Sequence, residues 1–168
     1  IEAEGLELSE TELLHQCIFM LNAGHETSTN MLSHGLNELI NHRDQYNLLQ
    51  NEHGRIDTAV DEILRFQPPI QINNRRCLEE TMLGDVVVPE GTSVHMIIAG
   101  ANRDPSQFSK PEHFDISRTP NRHLSFGLGI HICAGINLAR VEAKIAFLEL
   151  ISSFKEINIL KKPNIANR

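Results

Sequence analysis

The chain has 168 residues, 40% of them hydrophobic and 22% charged, with a formal net charge of −7. That length allows one domain with its own core, and the composition is ordinary for a soluble globular protein. The acidic balance excludes the basic stripe of a nucleic-acid binder, no apolar run reaches membrane-spanning length, and no signal peptide opens the sequence.

Three cysteines, Cys17, Cys77 and Cys133, are far apart and odd in number. They suit a reducing, cytoplasmic setting better than a disulfide framework. Both ends read as cut. Residues 1–5 carry no start signal, and Pro163-Asn164-Ile165-Ala166-Asn167-Arg168 ends without a closing element. Residues 1–168 are therefore expected to be a single incomplete domain.

The first element is announced by Ser9-Glu10-Thr11-Glu12, a capping box with Ser9 as N-cap and Glu12 three residues on. A long helix is predicted to follow, to about residue 41. Leu13, Leu14, Ile18, Leu21, Met31, Leu32, Leu36, Leu39 and Ile40 recur at helical spacing. Its middle, Ala23-Gly24-His25-Glu26-Thr27-Ser28-Thr29, is small and polar. One reading is a close helix–helix approach at Ala23-Gly24 beside a solvated turn. The other is a site. The Thr27 hydroxyl can bond the Ala23 carbonyl and open a groove, where Glu26 and Thr27 can relay protons.

A shorter polar helix is predicted over 42–52, ending at His53-Gly54. Asp57 then reads as the N-cap of a helix over 58–66, stopped by Pro68-Pro69. On it Glu62 and Arg65 stand three apart and share a face. A surface ion pair of this kind is commonplace and worth little.

A small β region follows. Residues 80–83 and 86–88 flank Gly84-Asp85, a hairpin signal; Pro89-Glu90-Gly91 is a second turn, and 92–98 a further strand. Arg75-Arg76 precede the hairpin. Asp104 and Pro105 are expected to be N-cap and first residue of a short helix. An irregular stretch leads to Phe126-Gly127-Leu128-Gly129-Ile130-His131-Ile132-Cys133-Ala134-Gly135. A last helix is predicted from Cys133 or Ala134 to about 154, burying Leu138, Val141, Ile145, Leu148 and Ile151, with Arg140, Glu142 and Lys144 facing elsewhere. Residues 156–160 read as a short strand.

A cysteine at a helix start faces free N–H groups and the positive end of the dipole, which favour its thiolate, a nucleophile or metal ligand. The glycines permit a flat, bulky partner over the loop. A buried, inert cysteine is the alternative.

The last stretch resembles the cysteine-ligand loop of the cytochrome P-450 family, F-x-x-G-x-H-x-C-x-G, filled here by Phe126, Gly129, His131, Cys133 and Gly135. Ala23, Gly24, His25, Glu26 and Thr27 match that family's oxygen-binding turn, A-G-x-[DE]-T. Glu62-Ile63-Leu64-Arg65 before Pro68-Pro69 matches its E-x-x-R signature. The resemblance runs from Ser9 to Phe154 and is closest to soluble bacterial members. It implies a mainly α fold with a small β region, the C-terminal part of the cytochrome P-450 fold.

It also implies haem b (iron protoporphyrin IX) as cofactor and haem-thiolate monooxygenation of a small organic substrate with O2. Electrons would come from a separate ferredoxin or flavodoxin with its reductase. Cys133 would ligate the iron, Phe126 shield the sulfur, and Gly127, Gly135, Ala23 and Gly24 adjoin the cofactor. Arg75 and His131 would each hold a propionate, and Glu26 and Thr27 would guide protons. Glu62 and Arg65 would be structural, pinning the underside of the haem loop. Many relatives have an arginine where His113 stands; His113, or else Arg118, is expected to complete that triad. A non-catalytic haem-thiolate binder or gas sensor also needs Cys133 but has no use for Glu26-Thr27. A cysteine hydrolase lacks a well-placed base, and a zinc site lacks paired ligand spacing.

Overall fold

A computed structural model describes residues 8–160. Helix α1, Glu10–Asn41, opens with the expected capping box. The Glu12 N–H donates to Ser9 Oγ, and the Ser9 N–H donates back to Glu12 Oε2 at 2.9 Å. Helices α2, Arg43–Asn51, and α3, Ile56–Phe66, follow, joined by a tight turn at His53–Arg55. Strand β1, Ile72–Arg76, precedes a hairpin of β2, Thr81–Leu83, and β3, Val86–Val88. Strand β4, Ser93–Ile97, runs into the one-turn helix α4, Ile98–Ala101. Helix α5, Ile136–Ser153, closes the fold.

The core lies where α1, α3 and α5 meet. Met31 and Leu39 from α1, Val60 and Ile63 from α3, and Ala143, Phe147 and Ile151 from α5 are buried together. Gly35 makes this meeting possible: a Cβ there would stand 2.5 Å from Phe147 Cζ and 2.8 Å from Ile63 Cγ2. The first half of α1 has no such cover. Leu13, Leu14, Ile18, Phe19, Met20 and Leu21 are all exposed.

Several expectations are corrected. Helix α3 begins one residue before Asp57, which caps nothing with its side chain and instead pairs with Lys144 of α5. The further strand expected after the second turn is present as β4. It pairs antiparallel with β1, Asn73 opposite Met96 and Arg75 opposite Val94, a partner strand that polar Asn73-Asn74-Arg75-Arg76 did not announce. No helix starts at Asp104. Its Oδ1 accepts the Ser106 N–H at 2.8 Å and closes a turn, while the short helix lies earlier, at α4.

Helix α5 starts at Ile136, so Cys133 stands before it in the loop. Its buried stripe is Ala143, Phe147 and Ile151; Leu138, Val141 and Ile145 are exposed. This helix is apolar on more than one face, so periodicity could not choose which face turns inward. Residues 156–160 form no strand. That tail is held through main-chain carbonyls, by Tyr46 Oη on Phe154 O at 2.9 Å and Arg43 Nη1 on Ile157 O at 3.2 Å.

Glu62 and Arg65 are fully buried rather than on the surface. Arg65 Nε and Nη2 donate to Glu62 Oε2 and Oε1 at 2.7 and 2.8 Å, a two-point fork. Its remaining N–H groups reach the carbonyls of Asn102, Pro111 and His113 at 2.9, 2.9 and 3.1 Å. Glu62 also accepts from the Asp115 N–H, Arg118 Nε and Asn121 Nδ2 at 2.9, 3.0 and 3.1 Å. So the third side chain of the triad is Arg118. His113, expected there first, contributes only its carbonyl, because a main-chain oxygen already reaches the guanidinium.

Asp61, one residue earlier on α3, binds Arg140 Nη2 of α5 at 2.9 Å and lies 3.4 Å from His123 Nε2. Partial burial would raise its pKa. The hydrogen bonds from His123 and Arg140, with their charge, outweigh that and hold it below the usual carboxylate range.

Removing the Glu62 carboxylate leaves Arg65 buried and uncompensated. Glu62→Ala is expected to cost roughly 3–5 kcal/mol in denaturant unfolding of the full chain. His113→Ala is expected to stay within about 0.5 kcal/mol, as a side-chain change away from such features does. The lowered pKa of Asp61 means its contribution is present above the unfolded value, about 4, and fades as pH falls through the folded one. The stability gap between parent and Asp61→Asn should be full near pH 6 and shrink below about pH 4. A gap that grows on acidification would contradict this.

Candidate functional site

A cavity of about 700 Å³ opens between α1, α5, the β1–β4 ladder and the loop before α5. Three elements far apart in sequence supply its walls. From α1 come Ala23, Gly24, Thr27 and Ser28; from the ladder Asn73, Arg75, Met96 and Ile97; from the loop Phe126, Gly127, His131 and Cys133. Gly135 and Leu138 continue the loop's wall onto α5.

Each piece is placed by local chemistry. In the loop, Gly127 has φ +74°, and a Cβ there would come within 3.0 Å of the His131 carbonyl. Glycine is required by both facts. A tight turn at Gly129–His131 folds the chain back, and the Cys133 N–H donates to the Phe126 carbonyl at 2.8 Å. The Cys133 carbonyl in turn accepts the Ile136 N–H at 3.3 Å. The thiol is free and exposed to the cavity. A Cβ on Gly135 would lie 3.9 Å from its sulfur. Phe126 packs against the core, with the Arg140 guanidinium 5.3 Å from its ring centre.

Across α1 the helix runs unbroken through the small, polar turn. Thr27 Oγ1 donates to the Ala23 carbonyl at 2.7 Å, as its spacing predicts, and Thr29 repeats the bond to His25 O at 2.8 Å. A Cβ on Gly24 would meet no described atom within 4 Å, so its absence widens the cavity. Glu26 is exposed and is not part of the cavity wall. The structure brings Thr27 and Cys133 to one cavity and leaves Glu26 outside it.

Strand alternation puts Arg75 on the cavity side of β1. Asn73 and Arg75 are two apart, so they share the face of β1 that meets the cavity. Arg75 Nη1 donates to Asn74 O at 2.9 Å and to Asn73 Oδ1 at 3.4 Å, and the residue is exposed. With His131 it places a cationic fork and an imidazole on a mostly apolar wall.

One pair escaped the sequence reading. Ser28 Oγ donates to Glu142 Oε2 at 2.9 Å, tying α1 to α5, and both side chains line the cavity. Glu142 was expected to face elsewhere. The signal was present: Gly135, Leu138, Ala139 and Glu142 fall at i, i+3, i+4 and i+7, one helical face.

The residues fit haem. A soft sulfur donor stands free in an apolar cavity that small residues at Gly24 and Gly135 leave wide enough for a flat ring. Donors for carboxylates stand in the same wall. Among the described residues no other group of His, Cys, Asp and Glu is arranged to hold a metal ion. No helix of the described residues is long and apolar enough to cross a membrane.

The cytochrome P450 family model matches residues 1–165. The biotin biosynthesis cytochrome P450 of Bacillus subtilis (strain 168) is 40% identical over 153 residues, covering 91% of this chain and 39% of that protein. Cytochrome P450 119 of Sulfolobus acidocaldarius is 41% identical over 162 residues, covering 95% of this chain and 43% of its own length. Among solved structures, P450BioI in complex with hexadec-9Z-enoic acid ligated acyl carrier protein superposes with a TM-score of 0.91 at 40% identity. That match covers 93% of this chain and 41% of the other. CYP109E1 from Bacillus megaterium in complex with corticosterone gives 0.88 at 35%, over 92% and 42%. The chain thus spans about two fifths of the length of these relatives. By sequence, fold and the three matching stretches, it belongs to the cytochrome P450 family.

Proposed function

We propose that the protein is a haem-thiolate monooxygenase. It puts one atom of O2 into a small organic substrate and releases the other as water. Its electrons come from a ferredoxin or flavodoxin with its reductase, and it works in the cytoplasm, where three unpaired cysteines stay reduced. The observation that carries this reading is the meeting of Cys133 and Thr27 in one apolar cavity.

Bound haem b supplies the oxygen activation, which a thiolate ligand favours by pushing electron density towards the iron. This chain's residues do the rest. Cys133 Sγ is assigned as the metal ligand, its thiol free and exposed in the cavity. Phe126 shields the sulfur from the core side. Gly127 lets the loop turn tightly enough to present it. Arg75 and His131 would hold the two propionates, the arginine through its fork. Ala23 and Gly24 leave room over the ring.

The Thr27 hydroxyl donates its hydrogen bond to the Ala23 carbonyl, which leaves its oxygen free to accept from a donor in the cavity it lines. Glu26, on the exposed side of the same turn, is assigned the outer position, where it exchanges protons with solvent. Apolar walls from Met96, Ile97 and Leu138 suit an apolar organic substrate.

The reduced, carbon-monoxide-bound spectrum of the full chain tests the ligand. Parent protein should show the thiolate-type band and Cys133→Ser should lose it; an unchanged band in that variant removes Cys133 from the iron. Thr27→Ala should keep haem and substrate binding, consume reductant, and form less product per electron pair, by up to about 10²-fold. Equal coupling in parent and variant would leave Thr27 only a packing role and bring the protein closer to a haem-based sensor.

A further inference from the structure

Asn102 is a fully buried amide in the irregular stretch after α4. Burying an amide is costly unless its polar atoms are satisfied, and here both are. Its Oδ1 accepts the Leu124 N–H at 2.8 Å, and its Nδ2 donates to Ser125 Oγ at 2.9 Å. Ser125 Oγ then donates to the Leu64 carbonyl on α3 at 2.7 Å. On its other side, the Asn102 carbonyl accepts Arg65 Nη1 at 2.9 Å. An amide head offers an acceptor and a donor side by side, and the Leu124 N–H settles which end is oxygen.

Leu124 and Ser125 lead directly into Phe126, whose carbonyl holds the Cys133 N–H. We propose that Asn102 is a positioning residue for the Cys133 sulfur, carrying the fixed frame of Glu62 and Arg65 to the loop that presents the ligand. The proposal rests on the haem-thiolate reading above. A residue that merely fills space could be leucine, which has a similar volume and neither polar atom. The amide ties residues 124–125 to residue 102, whose main-chain carbonyl is held by Arg65, while Ser125 itself bonds the Leu64 carbonyl, so the amide sets where the loop starts.

The test compares the haem-loaded full chain with Asn102→Leu and Ser125→Ala. Two quantities are read: the ratio of thiolate-type to thiol-type carbon-monoxide spectrum, and amide hydrogen exchange in residues 124–133 against α3 and α5. Asn102→Leu should lower the ratio about five- to tenfold, the scale of one or two lost hydrogen bonds. Exchange should quicken in 124–133 while α3 and α5 stay protected. Ser125→Ala should shift both readouts the same way by less. An unchanged ratio in Asn102→Leu overturns the proposal, as does exchange that quickens equally everywhere, which marks a purely structural role. If Asn102→Leu does not fold, Ser125→Ala decides alone: a shifted ratio supports the proposal and an unchanged one overturns it. A parent without the thiolate-type band fails the haem-thiolate reading itself and the proposal with it. A parent with the band and variants identical to it fails the proposal only.

Discussion

The buried pair of Glu62 and Arg65 is the constraint on which the rest of the structure depends. Two charges taken out of water are stable only when every lone pair and proton finds a partner. Guanidinium has five N–H donors and this one uses all of them, two on Glu62 and three on main-chain carbonyls. The irregular stretch from Asn102 to Asn121 has no helix or strand to shape it. It takes its course from the need to satisfy this pair. Asp115, Arg118 and Asn121 close the carboxylate side. The stretch thereby delivers the chain to Phe126 at a fixed place against the core.

A second constraint comes from the helices. Gly35 lets α1 lie against Phe147 and Ile63, and this contact sets how far α1 stands from α5. Seven to twelve residues earlier α1 lines the cavity, where Ser28 bridges to Glu142 of α5. Asp61 and Arg140 fasten α3 to α5 on the other side, and Arg140 covers the Phe126 ring. Cavity and core are thus two consequences of one helix crossing. Close packing at Gly35 holds the frame, and small residues at Ala23 and Gly24 keep the neighbouring space open.

Much of the site was legible in the sequence where chemistry is local. A capping box, a threonine four residues from its carbonyl, and a glycine at positive φ each follow from a few adjacent residues. Those readings describe Ser9, Thr27 and Gly127 well. What could not be read depends on partners distant in sequence. Whether Glu62 and Arg65 lie inside or outside is decided by residues 102–121, not by their own spacing. His113 looked apt for the triad, yet Arg118 fills it, because the fold needed only the carbonyl of residue 113. On α5, apolar residues lie on more than one face, and only the position of Gly35 shows which one packs. Glu142 sits on a face that is half core and half cavity, so charge alone misdirected it. Strand β1 carried no apolar alternation because its inner face meets a cavity rather than a core.

Arg65 recognises Asn102, Pro111 and His113 by their carbonyls alone, and every residue type carries one. The path of the backbone through 102–113 is therefore specified without specifying most of its side chains. Such a segment can drift in sequence, or be rewritten by design, while keeping its course. The surface it shows to solvent becomes adjustable independently of the loop it supports. Exposed positions such as Gln107 and Ser109 are then places where charge and contact surface can be altered without disturbing the cysteine more than twenty residues further on.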